Sequence, residues 1–445
     1  MSPEKNVLII NPWIYDFAAY DFWSKPLGLL SIAGIVEGCA RCRVDFIDCL
    51  AGPGRGPGGT RPAKSDGRRP FPKEEVPKPA VLRGIPRRYS RYGISVGDFR
   101  DALDSVPVPD LVLMTCVMTY WYPGVQAAVD LVRKKFSRVP VILGGAYPTL
   151  VPDHALAQSG ADLIVRGPGE NRILPLVREV LGDGIAEARE FPSLSCLPRP
   201  AFGLGEDKTW LPLLTSRGCP LRCSFCASRL LVPRFEQRDP ASVVEEIGAY
   251  SARFGTRHFV FYDDALLVNK TSHIIPFLEG VLASGTAASF HAPNGLHVRE
   301  IDGDLARLMR RADVRSIYLS QESMDETLLR ERSPKVAPGD LERAMAFLEK
   351  AGYRRDEICV YLIVGLPGQG AEAVRAAVTR VRELGAIPRL AHFSPIPGTE
   401  DWRNLVSKGA LAADADPLLH NKTVGPYLWG GLSAGEIAGV RELMV

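Results

Sequence analysis

The sequence predicts an α/β protein built from two parallel-strand systems in series: a doubly wound, Rossmann-like domain followed by a partial (β/α)6 barrel of the TIM type. Three observations predict this arrangement. Short apolar runs alternate with amphipathic stretches over 6–182, a second alternating series runs over 211–400, and the intervening segment 183–210 has no such periodicity. We therefore divide the chain into a domain at 1–182, a linker at 183–210, a barrel at 211–400 and a short helical tail at 401–445.

The N-terminal series contains five runs of the kind that form buried parallel strands, at 6–10, 44–48, 111–115, 140–145 and 161–165. Helical periodicity is predicted over 27–38 and 124–136. Parallel strands that alternate with helices form a doubly wound sheet, and such sheets bind ligands beyond the carboxyl ends of the strands.

The second series fits about six βα units, with chemistry expected at the carboxyl-terminal rim of the barrel. Helices are predicted at 240–253, 303–312 and 340–351. His291 and His392 fall at predicted strand ends, where each either reaches the barrel mouth or is structural. The six strands are predicted near 212–216, 257–262, 288–292, 315–320, 358–364 and 388–393.

The composition excludes several classes of protein. The chain has 54 basic and 51 acidic residues, and this balance gives no reason to expect nucleic acid as a partner. No apolar run approaches the roughly 18 residues of a membrane span, and the first residues lack the features of a signal peptide. Nine cysteines, an odd number in a long chain, favour a reducing compartment. We therefore expect a cytoplasmic protein.

Residues 51–92 interrupt the N-terminal series as a basic, Gly/Pro-rich insertion. The segment carries eleven basic residues against three acidic ones, whereas the whole chain is only +3. One interpretation is a solvated, partly disordered loop. The other is a lid or an arm that docks an acidic partner.

Three of the nine cysteines, Cys219, Cys223 and Cys226, lie within eight residues, directly after the first strand of the second series. One loop can wrap three thiolates around an iron–sulfur cluster and leave one iron without a protein ligand. Zinc is the main alternative. A structural zinc site needs a fourth protein ligand, however, and no Cys or His lies between 227 and 257. Chance clustering is the remaining alternative.

The Cys-x3-Cys-x2-Cys spacing, with an aromatic residue before the third cysteine, resembles the signature of the radical S-adenosylmethionine (SAM) superfamily. This resemblance implies a [4Fe–4S] cluster on the three cysteines, with SAM bound at the open iron and cleaved reductively to a 5′-deoxyadenosyl radical. Lys335 either meets a carboxylate or lies at the surface. The SAM-binding residues that the resemblance implies follow the barrel strands: Phe225, Asp263, Asp264, Asn294, Ser320, Glu322, Gly365 and Pro367. For Asp263, Asp264, Ser320 and Glu322 the alternative is helix capping, and for Gly365 and Pro367 it is a plain turn.

The N-terminal domain resembles the cobalamin-binding domains that are fused to radical SAM barrels. The cobalamin contacts that this implies are Trp13, Tyr15, Leu27, Thr115, Tyr120, Gly144 and Gly145. The sequence departs from many cobalamin domains because the Asp-x-His-x-x-Gly segment, which supplies a histidine to cobalt, is absent after the first strand. A degenerate domain without a cofactor is therefore the alternative, as is a core role for Tyr120.

Together these resemblances imply a cobalamin-dependent radical SAM enzyme that methylates an unactivated carbon. The enzymatic alternative is a radical SAM cyclase, oxidoreductase or rearrangement enzyme without methyl transfer. The alternative of another class is a non-catalytic cofactor-binding sensor. The expected cofactors are a [4Fe–4S] cluster, SAM and cobalamin, and the expected partners are a substrate that the sequence does not name and a reducing electron donor such as flavodoxin or ferredoxin.

Overall fold

The computed structural model describes residues 5–51, 69–429 and 431–444. The chain divides into two compact units, which are described separately below. The first comprises Met1–Thr209 with Asp416–Leu419, and the second comprises Trp210–Ala415 with His420–Val445. Over the described ranges, no helix is both long enough and apolar enough to pass through a lipid bilayer.

The first unit is organised around a five-stranded parallel sheet. Its strands and those of two small antiparallel sheets are, in chain order, β1 (Lys5–Asn11), β2 (Ile14–Asp16), β3 (Tyr20–Asp21), β4 (Cys42–Asp48), β5 (Arg69–Pro70), β6 (Lys73–Glu75), β7 (Ser90–Tyr92), β8 (Leu111–Thr115), β9 (Val141–Gly144) and β10 (Leu163–Ile164). The parallel sheet has the order β10-β9-β8-β1-β4. Chain order therefore reverses between β1 and β8, which confirms the doubly wound prediction and identifies the switch point where such sheets bind ligands.

In its described residues this unit has six helices: α1 (Leu27–Cys39), α2 (Val96–Ser105), α3 (Tyr122–Lys135), α4 (Ala146–Leu150), α5 (Pro152–Gln158) and α6 (Glu170–Leu181). Helix α3 shows how they form. Val125, Val129 and Val132 recur at helical spacing and are buried, whereas its last turn carries three basic residues that suit a helix C-terminus. The core lies between such apolar faces and the strands, where Leu8, Ile9 and Ile10 are almost fully buried.

The interpretation of 51–92 as a loop is wrong for its described part, 69–92. β7 pairs on one side with β2 and on the other with β6, which makes a three-stranded antiparallel sheet. Phe71 and Tyr92 pack with Ile14 and Leu50 in a small hydrophobic cluster. Apolar side chains spaced between the basic residues thus order this part of the insertion. The basic residues before Arg69 lie outside the described residues.

The second unit contains a six-stranded parallel sheet whose strands follow one another in chain order, β11-β14-β15-β16-β17-β18. Its strands, with a short ladder of two, are β11 (Trp210–Leu213), β12 (Ser216–Arg217), β13 (Glu236–Gln237), β14 (His258–Phe261), β15 (Ser289–His297), β16 (Val314–Glu322), β17 (Ile358–Val364) and β18 (Ile387–His392). This order, with β11 and β18 at the edges, confirms the predicted partial barrel. All six carboxyl ends therefore lie along one rim.

Helices connect these strands and continue into the C-terminal tail: α7 (Ser228–Leu231), α8 (Pro240–Phe254), α9 (Ile274–Ser284), α10 (Gly303–Arg311), α11 (Glu326–Arg332), α12 (Asp340–Lys350), α13 (Ala371–Glu383), α14 (Glu400–Ser407), α15 (Gly425–Leu428) and α16 (Ala434–Glu442). Stacked and edge-on rings of Phe261, Phe277 and Phe290 form part of the core. Because α8 ends at Gly255 with φ of 69°, a glycine suits that position.

His291 does not reach the barrel mouth. It lies near the beginning of β15, where its Nε2 is 3.1 Å from Nδ1 of His258 and its Nδ1 is 2.7 Å from Oγ of Ser316. His258 is the first residue of β14, so the pair belongs to the amino-terminal end of the sheet. His291 therefore packs within the barrel, at the end of the sheet opposite to the rim.

Candidate functional site

The three clustered cysteines lie on the loop that follows β11. The base of this loop is closed by a short antiparallel ladder between β12 and β13. Gly218 has φ of 78°, and a Cβ there would lie 2.9 Å from the carbonyl oxygen of Arg234, so a side chain would strain the turn that leads into Cys219. The turn at Gly218 and the β12–β13 ladder bring the two ends of this segment together, so all three cysteines lie on one loop.

The three thiols are free, and the surroundings of Cys219 and Cys223 favour their protonated form. Cys219 and Cys223 are half-buried, whereas Cys226 is exposed. Burial raises the pKa of Cys223 to about 11 and also raises the pKa of Cys219; in both cases the charge of Cys226 adds to the effect. The thiols therefore lie close enough to interact, and binding of a metal centre must displace their protons.

The chemistry of the donor set distinguishes a cluster from a single structural zinc ion. A structural zinc site takes four protein ligands, whereas thiolates are the usual ligands of iron–sulfur clusters. In the described ranges, no group of three or more His, Cys, Asp or Glu side chains is arranged to hold one metal ion. The donor set of three thiols on one loop thus fits the predicted cluster.

Asp263, at the end of β14, secures the beginning of the cysteine loop. Its Oδ1 accepts hydrogen bonds from Oγ1 of Thr215 at 2.7 Å and from Oγ of Ser216 at 2.6 Å, and both backbone amides of these residues also donate to its carboxylate. Asp263 is only 3% exposed, and burial raises its pKa to about 6. Asp263 therefore holds the beginning of the cysteine loop, and its contact with SAM stays a prediction.

Asp401, in the first turn of α14, secures the middle of the same loop and was missed by the sequence analysis. Oγ of Ser224 donates to Asp401 Oδ2 at 2.7 Å, and Asp401 also pairs with Arg332. Arg332 in turn donates to the carbonyl oxygen of Pro367 at 3.3 Å. The sequence around Asp401 indicates only a helix N-terminus capped by Thr399, so no local signal points to this contact.

Glu322 and Ser320, at the end of β16, are both buried. The Glu322 carboxylate forms an ion pair with Lys335, with Nζ 2.6 Å from Oε1. Only 13% of the Lys335 side chain is exposed, so the prediction of a surface lysine is wrong. Glu322 has φ of 66°, an uncommon conformation for a residue with a side chain.

Asn294 and Gly295 lie beside these residues, within β15. The Asn294 side chain is exposed, and its amide lies 3.5 Å from the carbonyl oxygen of Asp263. A Cβ on Gly295 would lie 2.3 Å from Oγ of Ser320, so only glycine fits there. Asn294 and Ser320 are thus brought to the same part of the rim.

The remaining predicted SAM residues lie on three loops of the rim. Phe225 is half-buried on the cysteine loop, and Asp264 is exposed and hydrogen bonded to Ser228, which also lies 3.3 Å from the sulfur of Cys226. The loop that contains Gly365 and Pro367 is held by Gln369, whose Oε1 accepts from the Gly365 amide at 2.8 Å. Gly365 has φ of 88°, a conformation that favours glycine at this turn.

The C-terminal tail contributes to the rim beyond β17 and β18. A recess of about 230 Å³ is lined there by Gly365, His392, Phe393 and, from the tail, Lys422 and Trp429. His392 therefore does reach the barrel mouth, where Arg441 donates a hydrogen bond to its Nε2 at 2.8 Å. Residues beyond α14 thus line part of the rim, which their prediction as a short helical tail did not suggest.

In the first unit, the ends of β8 and β9 form a glycine cradle beside the switch point of the sheet. Gly145 has φ of 103°, and a Cβ there would lie 2.6 Å from the carbonyl oxygen of Cys116 and 2.9 Å from Oγ1 of Thr115. No described atom lies within 4 Å of the position that a Cβ on Gly144 would take. The open space at Gly144, beside the Thr115 hydroxyl, fits a polar ligand that passes close to the backbone.

Several predicted cobalamin contacts are buried. Trp13 is 1% exposed, packs against Phe99 with ring centroids 4.6 Å apart and donates from Nε1 to the carbonyl oxygen of Ile94 at 2.8 Å. Tyr120 and Leu27 are also buried, whereas Tyr15 is half-buried in β2. Trp13, Tyr120 and Leu27 therefore pack within the unit, and their contact with cobalamin stays a prediction.

Comparison with protein families identifies two matches in this chain. Residues 213–381 match the model of the radical SAM superfamily, and this range runs from the last residue of β11 into α13, with β14 to β17 complete. Residues 93–176 match the model of the B12 binding domain. This range of the chain includes the glycine cradle. The two matches fall one in each unit.

Among relatives of known sequence, an uncharacterised methyltransferase of Pyrococcus horikoshii is 24% identical over 341 residues, which are 68% of this chain and 71% of that protein. An anaerobic magnesium-protoporphyrin IX monomethyl ester cyclase of Cereibacter sphaeroides is 25% identical over 60% of this chain. The aligned part spans about half of that cyclase, 48% of its length.

Solved structures with the same fold include the radical SAM methyltransferase TsrM of Kitasatospora setae, in a form with cobalamin and a [4Fe–4S] cluster bound. It has a TM-score of 0.67 and 17% identity, and the match covers 100% of this chain and 91% of that one. The cobalamin-dependent SAM radical enzyme OxsB has a TM-score of 0.57 and 14% identity, with 91% of this chain and 55% of that one covered.

Proposed function

The chain is a radical SAM enzyme that carries a B12-binding domain, as its motifs predict, and from this premise we propose that it transfers a methyl group to an unactivated carbon. The cofactors of this enzyme class are a [4Fe–4S] cluster, SAM and cobalamin. When bound, they supply an electron to cleave SAM to a 5′-deoxyadenosyl radical, and a carrier for the methyl group.

The observation that carries this proposal is the set of free thiols of Cys219, Cys223 and Cys226, held at the rim of the barrel. Asp263 and Asp401 hold the loop by buried hydrogen bonds at two points, Thr215–Ser216 and Ser224. A loop held in this way keeps the three sulfurs in place while the fourth iron position stays open to SAM. Nearby, Glu322, Ser320 and Asn294 supply polar groups for its amino acid and ribose.

The glycine cradle of the first unit supports the cobalamin part of the proposal. The open space at Gly144 and the adjacent Thr115 hydroxyl lie at the carboxyl end of the sheet, beside the switch point where doubly wound sheets bind nucleotide-like ligands. The loop after β1 carries no histidine, so this loop would hold cobalamin without supplying a nitrogen ligand to it.

A second candidate function keeps the radical and omits the methyl transfer. The relationship to the magnesium-protoporphyrin ester cyclases, 25% and 26% identical in the two relatives from Cereibacter sphaeroides and Synechocystis, favours ring closure or oxidation as that alternative. For either function we propose a reducing compartment, the cytoplasm, and a low-potential electron donor such as flavodoxin or ferredoxin.

The test is anaerobic purification after growth with cobalamin, followed by iron analysis and incubation with reductant and SAM labelled in its methyl group. We expect a bound [4Fe–4S] cluster, 5′-deoxyadenosine, and transfer of the label to the bound cobalamin with S-adenosylhomocysteine as co-product. Release of 5′-deoxyadenosine without label on cobalamin would favour the second candidate.

The matched variants for this test are Cys223→Ala and Cys196→Ala. Cys223 lies on the cysteine loop, whereas Cys196 is an exposed free thiol of the first unit. We expect Cys223→Ala to lose most of the iron and all 5′-deoxyadenosine formation, and Cys196→Ala to keep both. Equal iron content in the two variants would contradict the assignment of the cluster to this loop.

A further inference from the structure

The short segment Arg332–Lys335, which follows α11, runs alongside the cysteine loop. The amide of Ser224 donates to the carbonyl oxygen of Arg332 at 3.0 Å, and Oγ of Ser333 lies 3.9 Å from the sulfur of Cys223. Ser333 is completely buried, so this contact excludes water from one side of the loop. Lys335, at the end of this segment, therefore lies near the thiols.

Lys335 holds a buried positive charge at this place. Its ammonium group is 2.6 Å from the Glu322 carboxylate, and the two side chains are 13% and 8% exposed. Burial disfavours the charged ammonium, but the ion pair with the Glu322 carboxylate compensates for it. The lysine thus stays charged, and its field acts on the sulfurs as well as on Glu322.

A fixed charge close to an iron–sulfur cluster changes the reduction potential of that cluster. One-electron reduction of a [4Fe–4S] centre adds one negative charge, so a nearby cation favours the reduced state and a nearby carboxylate disfavours it. The effect is strong where water is scarce, because a low local dielectric screens the charges less. Both members of the Lys335–Glu322 pair meet that condition.

We propose that Lys335 and Glu322 form a charge pair that sets the reduction potential of the cluster, with Lys335 raising it and Glu322 lowering it. The inference rests on the proposed function, since it needs a cluster on Cys219, Cys223 and Cys226. Lys335 is a positioning residue in this role: it acts through the field at the thiolates and takes no part in bond breaking. The electron itself comes from an external reductant.

The test measures the midpoint potential of the reconstituted cluster in the full-length protein, by redox titration followed by electron paramagnetic resonance, without SAM. We expect Lys335→Met to shift the potential to a lower value and Glu322→Gln to shift it to a higher value. The double variant should lie between the two, because it removes both charges. Lys335→Arg should stay close to the parent, since it restores the charge.

Lys350→Met is the matched control, because Lys350 is an exposed lysine of the same unit at the end of α12. Its potential should equal that of the parent. A purely structural ion pair would lower stability in both single variants without opposite shifts in potential, and that result would overturn the proposal. So would shifts that appear only after SAM is added, because they would assign Lys335 and Glu322 to SAM binding alone.

The parent protein separates the failure of this inference from the failure of the proposed function. If the parent binds no [4Fe–4S] cluster, both fail. If the parent binds the cluster and cleaves SAM but the single variants keep its potential, only the charge-pair inference fails. Should Lys335→Met prove unstable, Lys335→Gln against Lys335→Arg makes the same comparison with side chains of similar length.

Discussion

Asp263 and Asp264 are adjacent in the sequence and have the same chemical group, yet their surroundings differ completely. Asp263 is buried and accepts four hydrogen bonds from Thr215 and Ser216, whereas Asp264 is exposed beside Ser228. The difference follows from the alternation of side chains at a strand end, which sends one carboxylate inward and the next outward. Of the two, Asp264 remains available to a ligand.

This difference predicts opposite results for two conservative variants. Asp263→Asn replaces an acceptor oxygen with an NH₂ group that faces amide and hydroxyl donors, so we expect a loss of about 1–3 kcal/mol in the free energy of unfolding and a lower iron content. Asp264→Asn should change stability by less than about 0.5 kcal/mol. Denaturant unfolding and iron analysis measure both effects. Unchanged stability in Asp263→Asn would mean that its carboxylate does not hold the loop.

At the scale of elements, the loop after β1 is positioned by close packing against α3. A Cβ on Gly124 of α3 would lie 1.9 Å from the carbonyl oxygen of Trp13, so the helix and the loop meet through backbone contact. The same loop continues into β2, which pairs with β7 from the basic insertion. The insertion and the helix thus determine together where the residues after β1 lie.

Gly124→Ala tests this packing, because alanine normally favours a helix. In Gly124→Ala the added methyl group would overlap the backbone of Trp13 and must displace it. We therefore expect a loss of about 1–3 kcal/mol in the free energy of unfolding. Gly28→Ala in α1 is the control: no described atom lies near its added Cβ, so alanine should stabilise by up to about 1 kcal/mol. Equal effects of the two substitutions in denaturant unfolding would contradict the close contact at Trp13.

For the whole molecule, buried histidines link stability to pH. Burial, together with the charge of His258, lowers the pKa of His291 to about 4, whereas in the unfolded chain it is near 6.5. Between these values the unfolded state binds more protons than the folded state. The contribution of His291 is therefore fully present above pH 6.5 and is lost as pH falls toward 4.

The measurement compares the parent and His291→Gln in unfolding experiments on the metal-free protein between pH 7 and pH 4. We expect the parent to lose on the order of 2–3 kcal/mol more than the variant over this range. Comparison with the variant is needed because Asp263, whose pKa is raised to about 6, titrates in the same window with the opposite sign. Parallel pH profiles would show that His291 is not held neutral.

The sequence by itself determined the features that depend on local patterns. Apolar runs with Gly and polar residues between them predicted the strands of both units, and the spacing of Cys219, Cys223 and Cys226 predicted the cluster loop, because a strand and a short turn are specified by neighbouring residues. The resemblance to known families pointed to the glycines at 144, 145 and 365, and of these Gly145 and Gly365 have positive φ.

Only the tertiary structure decided what each polar side chain does. Asp263 and Thr215 are 48 residues apart, and Ser224 and Asp401 are 177 apart, so no local pattern records that they bind each other. The same holds for the burial of Lys335 beside the thiols and for Trp13, an aromatic residue that packs in the core. Hydrogen bonds and charges act through space, and the distances that decide them arise only when separate strands and helices pack together.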